Sequence, residues 1–577
     1  MKASDYTALY LERRGVSHVF ELVGGMITFL IDSLHQKTGV KIVSMHHEQG
    51  AGFAAEGFGR FTGVPGVAMA TSGPGATNLL TAIGSCYFDS VPAVFITGQV
   101  NRHEQKGDRA IRQLGFQETD IVSMARPITK AAWLVNNPVD LPAILEEAFT
   151  LALSGRPGPV LVDIPMDVQR AEIEDTSRLD PSPAVPQPAA APAPKTAIFW
   201  SELSRELSNA ARPMILAGGG VHSGRALDAF RRFADKLQIP VVNSLMAVDA
   251  LPAGHPLRVG LIGSYGNRWA NTALSECDLL LVVGSRLDIR QTGADTEGFK
   301  GQRLIYHVDC EPGEINNRVK GCVALESELL PFFTYVNQQP AAFSPRVGWT
   351  ERIAKLKQEW PDISELKDIE GINPNLFLHQ LSAASKRATT FVSDVGQHQM
   401  WAAQSLDLEP AQRFMTSGGM GAMGFALPTA IGVCFASQSR PVVVIAGDGG
   451  FQLNIQELQT IARNRLPVKI VVLNNQCHGM VRQFQDSYFK GRVQSTVWGY
   501  SAPSFHAVAQ AYGIASLAIT DPAQVAAGLA ECWADPAAPF LLEVAVNLKA
   551  NAYPKMAFGR AMSEMEPLAK PIDMEGT

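Results

Sequence analysis

Ten short apolar runs, separated by segments with helical patterns, constrain the fold of this chain most strongly. Each run is apolar on both faces, which is typical of parallel strands covered by helices on both sides of a sheet. We therefore predict an α/β protein built from doubly wound parallel sheets. The runs are GVAMATS (66–72), PAVFITG (92–98), GPVLVDIP (158–165), PMILAGGG (213–220), DLLLVVGS (278–285), LIYHVD (304–309), ATTFVSD (388–394), PVVVIAGDG (441–449), VKIVVLNN (468–475) and FLLEVAV (540–546).

A stretch rich in proline and alanine, DPSPAVPQPAAAPAPK at 180–195, marks the clearest domain boundary. Its prolines can neither continue a helix nor pair in a sheet. A weaker boundary is NQQPAAFSPRV at 337–347. The predicted organisation is three doubly wound domains at 1–175, 196–336 and 370–550, linkers at 176–195 and 337–369, and a C-terminal tail at 551–577.

Composition and charge narrow the class of partner. Of the 577 residues 46% are hydrophobic and 18% charged, as in a globular enzyme, and the net charge is −6. Without a long basic block, neither nucleic acid nor an anionic membrane is an expected partner. The seven cysteines are scattered, without a CxxC pair, which suits a reducing cytoplasm. With no signal peptide and no long apolar run, we expect a cytoplasmic protein that acts on small molecules.

The run PVVVIA ends abruptly in Gly-Asp-Gly-Gly, and this ending suggests a metal site. Gly447 and Gly449 allow a tight turn and the approach of a diphosphate, while Asp448 offers a hard oxygen ligand. The run VKIVVLNN places Asn475 at the same edge of the sheet. Asp448, Asn475 and a backbone carbonyl near Cys477 would suit Mg²⁺, which prefers octahedral oxygen coordination. The alternative is that these are two ordinary strand ends with turn residues.

Several further motifs give the chain a family resemblance. It resembles the thiamine diphosphate enzymes of the acetolactate synthase group, in order and over nearly its whole length. The resemblance implies a pyrimidine-binding, a central Rossmann-like and a diphosphate-binding domain. The matching motifs are HHEQGAGFAAEGFGR (46–60), TSGPGATN (71–78), GFQETDIV (115–122), GSRLDIRQTG (284–293), GQHQMWAAQ (396–404), SGGMGAMGFALPTAIG (417–432) and NNQCHGMVRQF (474–484).

The resemblance assigns roles at the thiamine diphosphate site. Glu48 matches the glutamate that hydrogen-bonds the aminopyrimidine ring, and Met423 matches the apolar residue that holds the cofactor bent. Taken alone, Glu48 could be a helix-start glutamate, Met423 a core filler and His398 a structural histidine. The implied cofactor-binding positions are Thr71, Pro74, Asn78, Gly396, Gln397, His398, Gly421, Gly447, Gly449, Gly450, His478, Gly479 and Met480.

The central domain carries a flavin signature by the same resemblance. Arg286, Asp288 and Arg290 match flavin-binding residues, which implies FAD in a structural, non-redox role. The alternative is a domain that keeps the fold and binds ADP or nothing. The other implied contact positions are Gly218, Gly219, Gly220, Leu245 and Asp309.

Two positions depart from the family pattern where relatives line the acceptor pocket. Met26 stands for alanine and Phe484 for tryptophan, so we expect an acceptor other than the usual second 2-keto acid. Phe116 and Gln117 are expected to shape the donor and acceptor space. The loop NRHEQKGDRAIRQLG (101–115) is longer than in the family and mixed in charge. Such a loop is either simply solvated or meets an anionic acceptor such as a nucleotide sugar.

These expectations define a decarboxylating carboligase. A 2-keto acid, with pyruvate as the expected donor, would lose carbon dioxide and pass a two-carbon unit to a small carbonyl acceptor. The alternatives are transfer to a keto sugar nucleotide, simple decarboxylation, cyclic-dione C–C hydrolysis, and a non-catalytic homologue, which the presence of Glu48, Asp448 and Asn475 disfavours. The resemblance further implies active sites between chains, in a homodimer or homotetramer.

Overall fold

A computed structural model describes residues 1–179, 194–340 and 343–572. These residues form three six-stranded parallel sheets flanked by helices, which confirms the predicted fold class. Most of the predicted linker at 176–195 lies outside the described residues. Near the C-terminus, Lys555–Met556 pairs with Met565–Glu566 in a small antiparallel hairpin. None of the helices in the described ranges is long and apolar enough to cross a membrane.

The first domain contains a sheet of order β2-β1-β3-β4-β6-β5. Alternate residues of its central strands are buried on opposite faces, Phe20 and Phe95 on one and Val19 and Val94 on the other. Burial on both faces explains why these strands are apolar throughout. The strands are β1 His18–Leu22, β2 Lys41–Ser44, β3 Gly66–Ala70, β4 Ala93–Gln99, β5 Ala131–Leu134 and β6 Pro159–Pro165. The helices are Ala3–Arg13, Thr28–Lys37, Glu48–Thr62, Pro74–Asn78, Leu80–Asp89, Ile121–Ala125, Leu141–Leu153 and Met166–Arg170.

The central domain contains a sheet of order β12-β11-β10-β7-β8-β9. Its core extends into the predicted linker at 337–369, because Trp349, Ile353 and Leu356 of the helix Val347–Glu359 pack on this sheet. The strands are β7 Pro213–Ala217, β8 Val241–Asn243, β9 Arg258–Leu261, β10 Leu279–Val283, β11 Leu304–Asp309 and β12 Val323–Glu326. The other helices are Pro194–Asn209, Gly220–Ser223, Leu227–Leu237, Arg268–Glu276, Ile289–Thr292, Thr296–Lys300 and Leu329–Gln338.

The third domain contains a sheet of order β14-β13-β15-β16-β18-β17. The strand order reverses between β13 and β15, because β14 is added on one side of β13 and β15 on the other. Ligands of open α/β sheets bind beyond the carboxyl ends of the strands at such a point. The strands are β13 Thr390–Ser393, β14 Arg413–Thr416, β15 Val442–Gly447, β16 Val468–Asn474, β17 Ala515–Ile519 and β18 Phe540–Ala545. The helices are Pro374–Ala384, Gln397–Ser405, Ala426–Ala436, Asp448–Leu453, Leu458–Asn464, Gly479–Tyr488, Phe505–Ala511 and Val525–Cys532.

The first and third domains meet through two helices whose backbones touch. A Cβ atom on Gly57 would lie 2.3 Å from the Thr429 carbonyl oxygen, and one on Gly432 would lie 1.9 Å from the Ala54 carbonyl oxygen. Only glycine allows so close an approach. One of these helices begins at Glu48, and the other begins three residues after Met423. The contact therefore positions elements that carry candidate site residues in both domains.

Candidate active site

The third domain brings the three predicted metal ligands together at the ends of two neighbouring strands. Parallel pairing of Gly447 with Leu473 sets Asp448, the next residue along, beside the turn that contains Asn475. Asp448 is 2% exposed and begins the short helix Asp448–Leu453. Asn475 Oδ1 accepts a hydrogen bond from the Cys477 backbone N–H at 3.2 Å, which fixes the turn after β16.

The donor set at this strand edge fits a magnesium ion. Asp448 Oδ2 is buried without a hydrogen-bond partner, and burial raises the pKa of this carboxyl to about 6. Such an oxygen is costly unless a cation or another donor meets it. In the described ranges no three His, Cys, Asp or Glu side chains form a metal cluster. One carboxylate, one amide and one backbone carbonyl instead suit Mg²⁺, which takes its remaining ligands from water and phosphate.

Gln397 and His398 start the helix that follows β13, next to these ligands. Gln397 Oε1 accepts from Asn475 Nδ2 at 3.1 Å, and Gln397 Nε2 donates to Gln483 Oε1 at 3.2 Å. His398 Nε2 is buried without a hydrogen-bond partner. Burial lowers the pKa of His398 to about 3, so the ring is neutral at physiological pH. A neutral imidazole whose Nε2 is open, beside the metal ligands, can hydrogen-bond a bound ligand.

The predicted glycines let histidine rings reach the backbone at this edge. A Cβ atom on Gly447 would lie 2.8 Å from His398 Nδ1, and one on Gly449 would lie 2.7 Å from His478 Nδ1. The third predicted glycine of this run, Gly450, is equally crowded by Asp394. Side chains at these positions would displace the rings. The predicted Gly396 also packs against His398, whereas Gly421 has φ +66° and no heavy atom near its Cβ position.

Met423 reaches the same place from the segment before the helix Ala426–Ala436. Its Cε lies 3.5 Å from the Cβ position of Gly449. The segment is held by Asp394, whose carboxylate accepts from the backbone N–H groups of Gly424 at 3.0 Å and Ala426 at 2.9 Å. Sequence reasoning missed Asp394 as a site residue. The signal was present, since Asp394 ends the run ATTFVSD as Asp448 follows PVVVIAG.

The helix Gly479–Tyr488 carries the remaining third-domain candidates. Gly479 packs on Gln397, since a Cβ atom there would lie 1.9 Å from Gln397 Oε1. Met480, the next residue, is partly buried. Phe484 is 43% exposed, and its ring lies 4.7 Å from that of Tyr488. Phe484 therefore presents an aromatic surface to whatever approaches this helix.

The first domain assembles a second group of predicted residues around Glu48. Glu48 is 7% exposed at the start of its helix, where the His47 side chain accepts from the Gln49 backbone N–H at 3.0 Å. Asn78 Nδ2 donates to Glu48 Oε2 at 2.9 Å. Thr71 lies nearby, because a Cβ atom on Gly75 would meet both Thr71 Cγ2 at 2.8 Å and Glu48 Oε1 at 3.3 Å. The structure thus groups Glu48 with Thr71 and Asn78.

Met26 and Gln117 extend this first-domain group. The Met26 backbone N–H donates to Thr71 Oγ1 at 3.3 Å, and Gln169 Nε2 donates to the Met26 carbonyl at 2.7 Å. Gln117, at φ +66°, packs its Cβ 3.0 Å from the Cβ position of Gly73. The predicted Pro74 follows as the first residue of the helix Pro74–Asn78. Phe116 is 80% exposed and makes no part of the buried group.

Within one chain the two groups stay apart, although their surroundings touch. Throughout the described part of the chain, no hydrogen bond or ion pair joins Glu48 to Asp448. Asn454 Nδ2 donates both to Gln49 Oε1 at 3.1 Å and to the Gly424 carbonyl at 2.8 Å. Sequence reasoning missed this bridge because its partners lie far apart in the chain.

A cavity of about 840 Å³ opens between the three domains and holds most of the predicted flavin positions. Its size is within the range of ligand pockets, about 300–1,000 Å³. Asp288 orders the wall, since Oδ1 accepts from the Arg290 backbone N–H at 2.9 Å and Oδ2 lies 3.3 Å from Arg286 Nε. Gly218 lies behind the wall, against Gly284. The predicted residues that line the cavity are Gly219, Gly220, Leu245, Arg286, Asp288, Arg290 and Asp309.

A buried ion cluster at this cavity was not predicted. Arg60 pairs with Glu56 and with Asp89 at 2.7 Å, and both Arg60 and Asp89 line the cavity. Asp89 also accepts from the backbone N–H groups of Gly418 at 3.0 Å and Gly419 at 2.7 Å. Arg60 ends the motif HHEQGAGFAAEGFGR, so its position was visible. Nothing in the spacing of the sequence pairs it with Asp89.

Comparison with known families agrees with this arrangement. Models described as the N-terminal TPP binding domain, the central domain and the C-terminal TPP binding domain of thiamine pyrophosphate enzymes match residues 1–124, 201–333 and 394–544. The three domains match the three sheets in order. The fold and the matched family models define a thiamine pyrophosphate enzyme.

Individual relatives narrow the class. The chain is 38% identical over 562 residues to the acetolactate synthase large subunit of Parasynechococcus marenigrum (strain WH8102), covering 96% of this chain and 89% of that protein. It is 37% identical to the isozyme 1 large subunit of Escherichia coli (strain K12), covering 97% of each, and 38% identical to the isozyme 2 large subunit, covering 98% and 99%. The chain belongs to the acetolactate synthase large-subunit family.

Proposed function

We propose that this thiamine pyrophosphate enzyme decarboxylates pyruvate, or a close 2-keto acid, and joins the two-carbon unit to an acceptor carbonyl. Family membership supports decarboxylation with carboligation as the reaction class. The observation that carries the site assignment is the buried, unpartnered Asp448 Oδ2 beside Asn475. This oxygen is a hydrogen-bond acceptor without a donor among the described residues, at a strand edge where a metal and a diphosphate fit.

Each residue of the two groups has a proposed task. Thiamine diphosphate, when bound, would supply the electron sink for carbon dioxide release. Asp448, Asn475 and the Cys477 carbonyl would hold Mg²⁺, and Met423 would support the bent cofactor. The buried carboxyl of Glu48 would hold a proton at a ring nitrogen of the aminopyrimidine. Its Oε2 accepts a hydrogen bond from Asn78, which leaves Oε1 for the ring. The carboxyl is thereby both desolvated and oriented.

The central cavity is the proposed site of FAD. The volume, the Asp288-ordered wall and the glycines at the start of the helix Gly220–Ser223 suit a dinucleotide. Purified protein is expected to show flavin absorbance, or to gain it when FAD is added. A protein without that absorbance after FAD addition would remove the flavin proposal.

A homodimer, or a homotetramer made of two such dimers, is the proposed assembly. Glu48 and Asp448 serve one reaction in this proposal, yet in the described part of the chain no hydrogen bond or ion pair joins them. Phe116 and Phe484, both proposed to face the substrate, are 80% and 43% exposed. A second copy that brings the Glu48 group of one chain to the Asp448 group of the other would cover both rings. Mass measured in solution should therefore be at least twice that of one chain.

For the acceptor substrate, the loop at 101–115 favours a second candidate. Glu118 clamps the long loop, its carboxylate oxygens accepting from the backbone N–H groups of Lys106 at 2.6 Å and Leu114 at 2.8 Å. The clamp fixes a loop on which Arg109 and Arg112 are exposed. Guanidinium groups bind phosphate well. An anionic acceptor such as a keto sugar nucleotide is therefore the second candidate.

Product analysis tests the function and separates the two candidates. Purified protein is supplied with thiamine diphosphate, Mg²⁺, FAD and pyruvate, with and without other carbonyl compounds, and products are identified by mass spectrometry. Acetolactate from pyruvate alone would establish the acetolactate synthase reaction and remove the second candidate. Pyruvate consumption only when a keto sugar nucleotide is added would establish the second. No pyruvate consumption under any condition would contradict both.

A further inference from the structure

The chain folds back over the proposed metal site after the helix Gly479–Tyr488. The returning residues, 493–502, are called the return segment here. The His478 backbone N–H donates to the Thr496 carbonyl at 3.1 Å. Thr496 Oγ1 donates in turn to Gln485 Oε1 at 2.5 Å. These bonds fix the return segment against the start and the middle of the helix that covers the site.

Tyr500 of the return segment packs its ring on His478. The two ring centroids are 4.3 Å apart, with the planes tilted by 53°. On its other side the His478 ring occupies the space beside Gly449, where a Cβ atom would lie 2.7 Å from Nδ1. His478 is thus held between Tyr500 and the GDG turn. Its position over that turn depends on the tyrosine ring.

The hydroxyl of Tyr500 is linked to Asp448 through Gln452. Gln452 Nε2 donates to the Tyr500 hydroxyl oxygen at 3.4 Å and to the Asp448 carbonyl at 3.1 Å. Among the described residues, Asp448 Oδ2 has no hydrogen-bond partner. Gln452 therefore holds the hydroxyl in a fixed position relative to Asp448, the residue that carries the open metal-binding oxygen.

We propose that Tyr500 is a positioning residue for the metal and diphosphate site. Its hydroxyl orients Asp448 toward Mg²⁺, and its ring holds His478 over the GDG turn. This inference rests on the proposed binding of thiamine diphosphate and Mg²⁺. Groups that orient metal ligands from behind typically change metal affinity about 10–100-fold when removed. The hydroxyl and the ring act on different partners, so their effects are separable.

Titration calorimetry of the full-length protein measures both effects. The dissociation constant of Mg²⁺ is measured at saturating thiamine diphosphate, and that of thiamine diphosphate at saturating Mg²⁺. Tyr500→Phe keeps the ring, so it should weaken Mg²⁺ binding about tenfold and leave the thiamine diphosphate constant nearly unchanged. Tyr500→Leu should weaken both. Gln452→Leu, which frees the hydroxyl, should resemble Tyr500→Phe.

Controls separate positioning from folding and from the proposed function. Tyr512→Phe removes a hydroxyl elsewhere in the third domain and should leave both constants unchanged. Each variant's unfolding temperature without cofactor should match the wild type; if Tyr500→Leu fails to fold, Tyr500→Phe still decides. If the wild type binds thiamine diphosphate and Tyr500→Phe binds Mg²⁺ as tightly as the wild type does, this inference is overturned and the proposed function stands. A wild type that binds no thiamine diphosphate would overturn the proposed function, and this inference with it.

Discussion

Replacement of Gly57 by alanine tests the helix contact that joins the first and third domains. The new Cβ would lie 2.3 Å from the Thr429 carbonyl oxygen, while ordinary contacts begin at 3.4 Å, so the helices must separate by about 1.1 Å (3.4 − 2.3). Overpacking of this kind costs about 1–3 kcal/mol. The better helix propensity of alanine returns about 0.5–1 kcal/mol. Because the clash is with backbone, which cannot rotate away, we expect a net loss of about 2 kcal/mol.

Calorimetric unfolding checks this value against a matched glycine. A loss of about 2 kcal/mol lowers the unfolding temperature of a domain of this size by about 4–8 °C. Gly348→Ala is the control, because no atom lies within 4 Å of its Cβ position in the helix Val347–Glu359. It should leave the unfolding temperature unchanged or slightly raised. Equal unfolding temperatures for Gly57→Ala and Gly348→Ala would refute the reasoning.

A double variant sharpens the test. Gly432→Ala meets the Ala54 carbonyl oxygen at 1.9 Å, on the same pair of helices. One separation of the helices relieves both clashes, so Gly57→Ala with Gly432→Ala should cost less than the sum of the single losses. Strict additivity would mean that the two glycines act at independent sites. That result would contradict a single helix contact as the cause.

Two further predictions concern chemistry and pH. Glu48→Gln keeps the side-chain volume and the acceptor for Asn78, but the amide cannot hold the proton. Turnover should therefore fall about 10²–10⁴-fold, while thiamine diphosphate binding measured by calorimetry persists. Full activity would contradict the role of Glu48. Although burial lowers it, the hydrogen bonds that the His379 ring donates to the carboxylates of Asp362 and Asp407 raise the pKa of His379 from 6.5 to about 10. The stability from charged His379 is therefore complete below pH 6.5 and lost as pH rises through 10. The difference in unfolding temperature between wild type and His379→Gln should shrink over that range, and a constant difference would contradict the assignment.

The strands that sequence reasoning found and missed differ in position within the sheets. All ten predicted runs are strands, and all are interior strands with apolar residues on both faces. The missed parallel strands include every sheet edge. Edge strands have fewer neighbours and carry polar residues, as in Lys41–Ser44 and Val323–Glu326, so they lack the two-sided apolar pattern. Two interior strands were also missed: His18–Leu22 contains a histidine and a glutamate, and Val241–Asn243 has only three residues.

The candidate site divides in the same physical way. Residues that would touch a ligand lie at strand ends with a glycine or an amide beside them, and Asp448 and Asn475 could be located from that local pattern. The same pattern suggested their role as metal ligands, whereas the roles of Glu48 and Met423 came from the family resemblance. The structure adds the neighbours of these residues, such as Asn78 beside Glu48 and Gln397 beside Asn475. Both pairs join residues from separate motifs, which no spacing rule connects.

The residues that hold the helix start at Glu48 show why the rest was out of reach. Glu457 is fully buried, and its Oε1 accepts from the His46 backbone N–H at 3.0 Å. Its carboxylate lies at the start of the helix Glu48–Thr62, where the helix dipole favours a negative charge. Yet Glu457 is more than 400 residues away in the chain, in the other domain. Glu457 accepts from the backbone N–H of residue 46, and this N–H does not depend on the histidine side chain there. Such a contact requires no particular residue at position 46, so the sequence there does not indicate it. Only the folded structure shows that a residue of the third domain holds the start of the Glu48 helix.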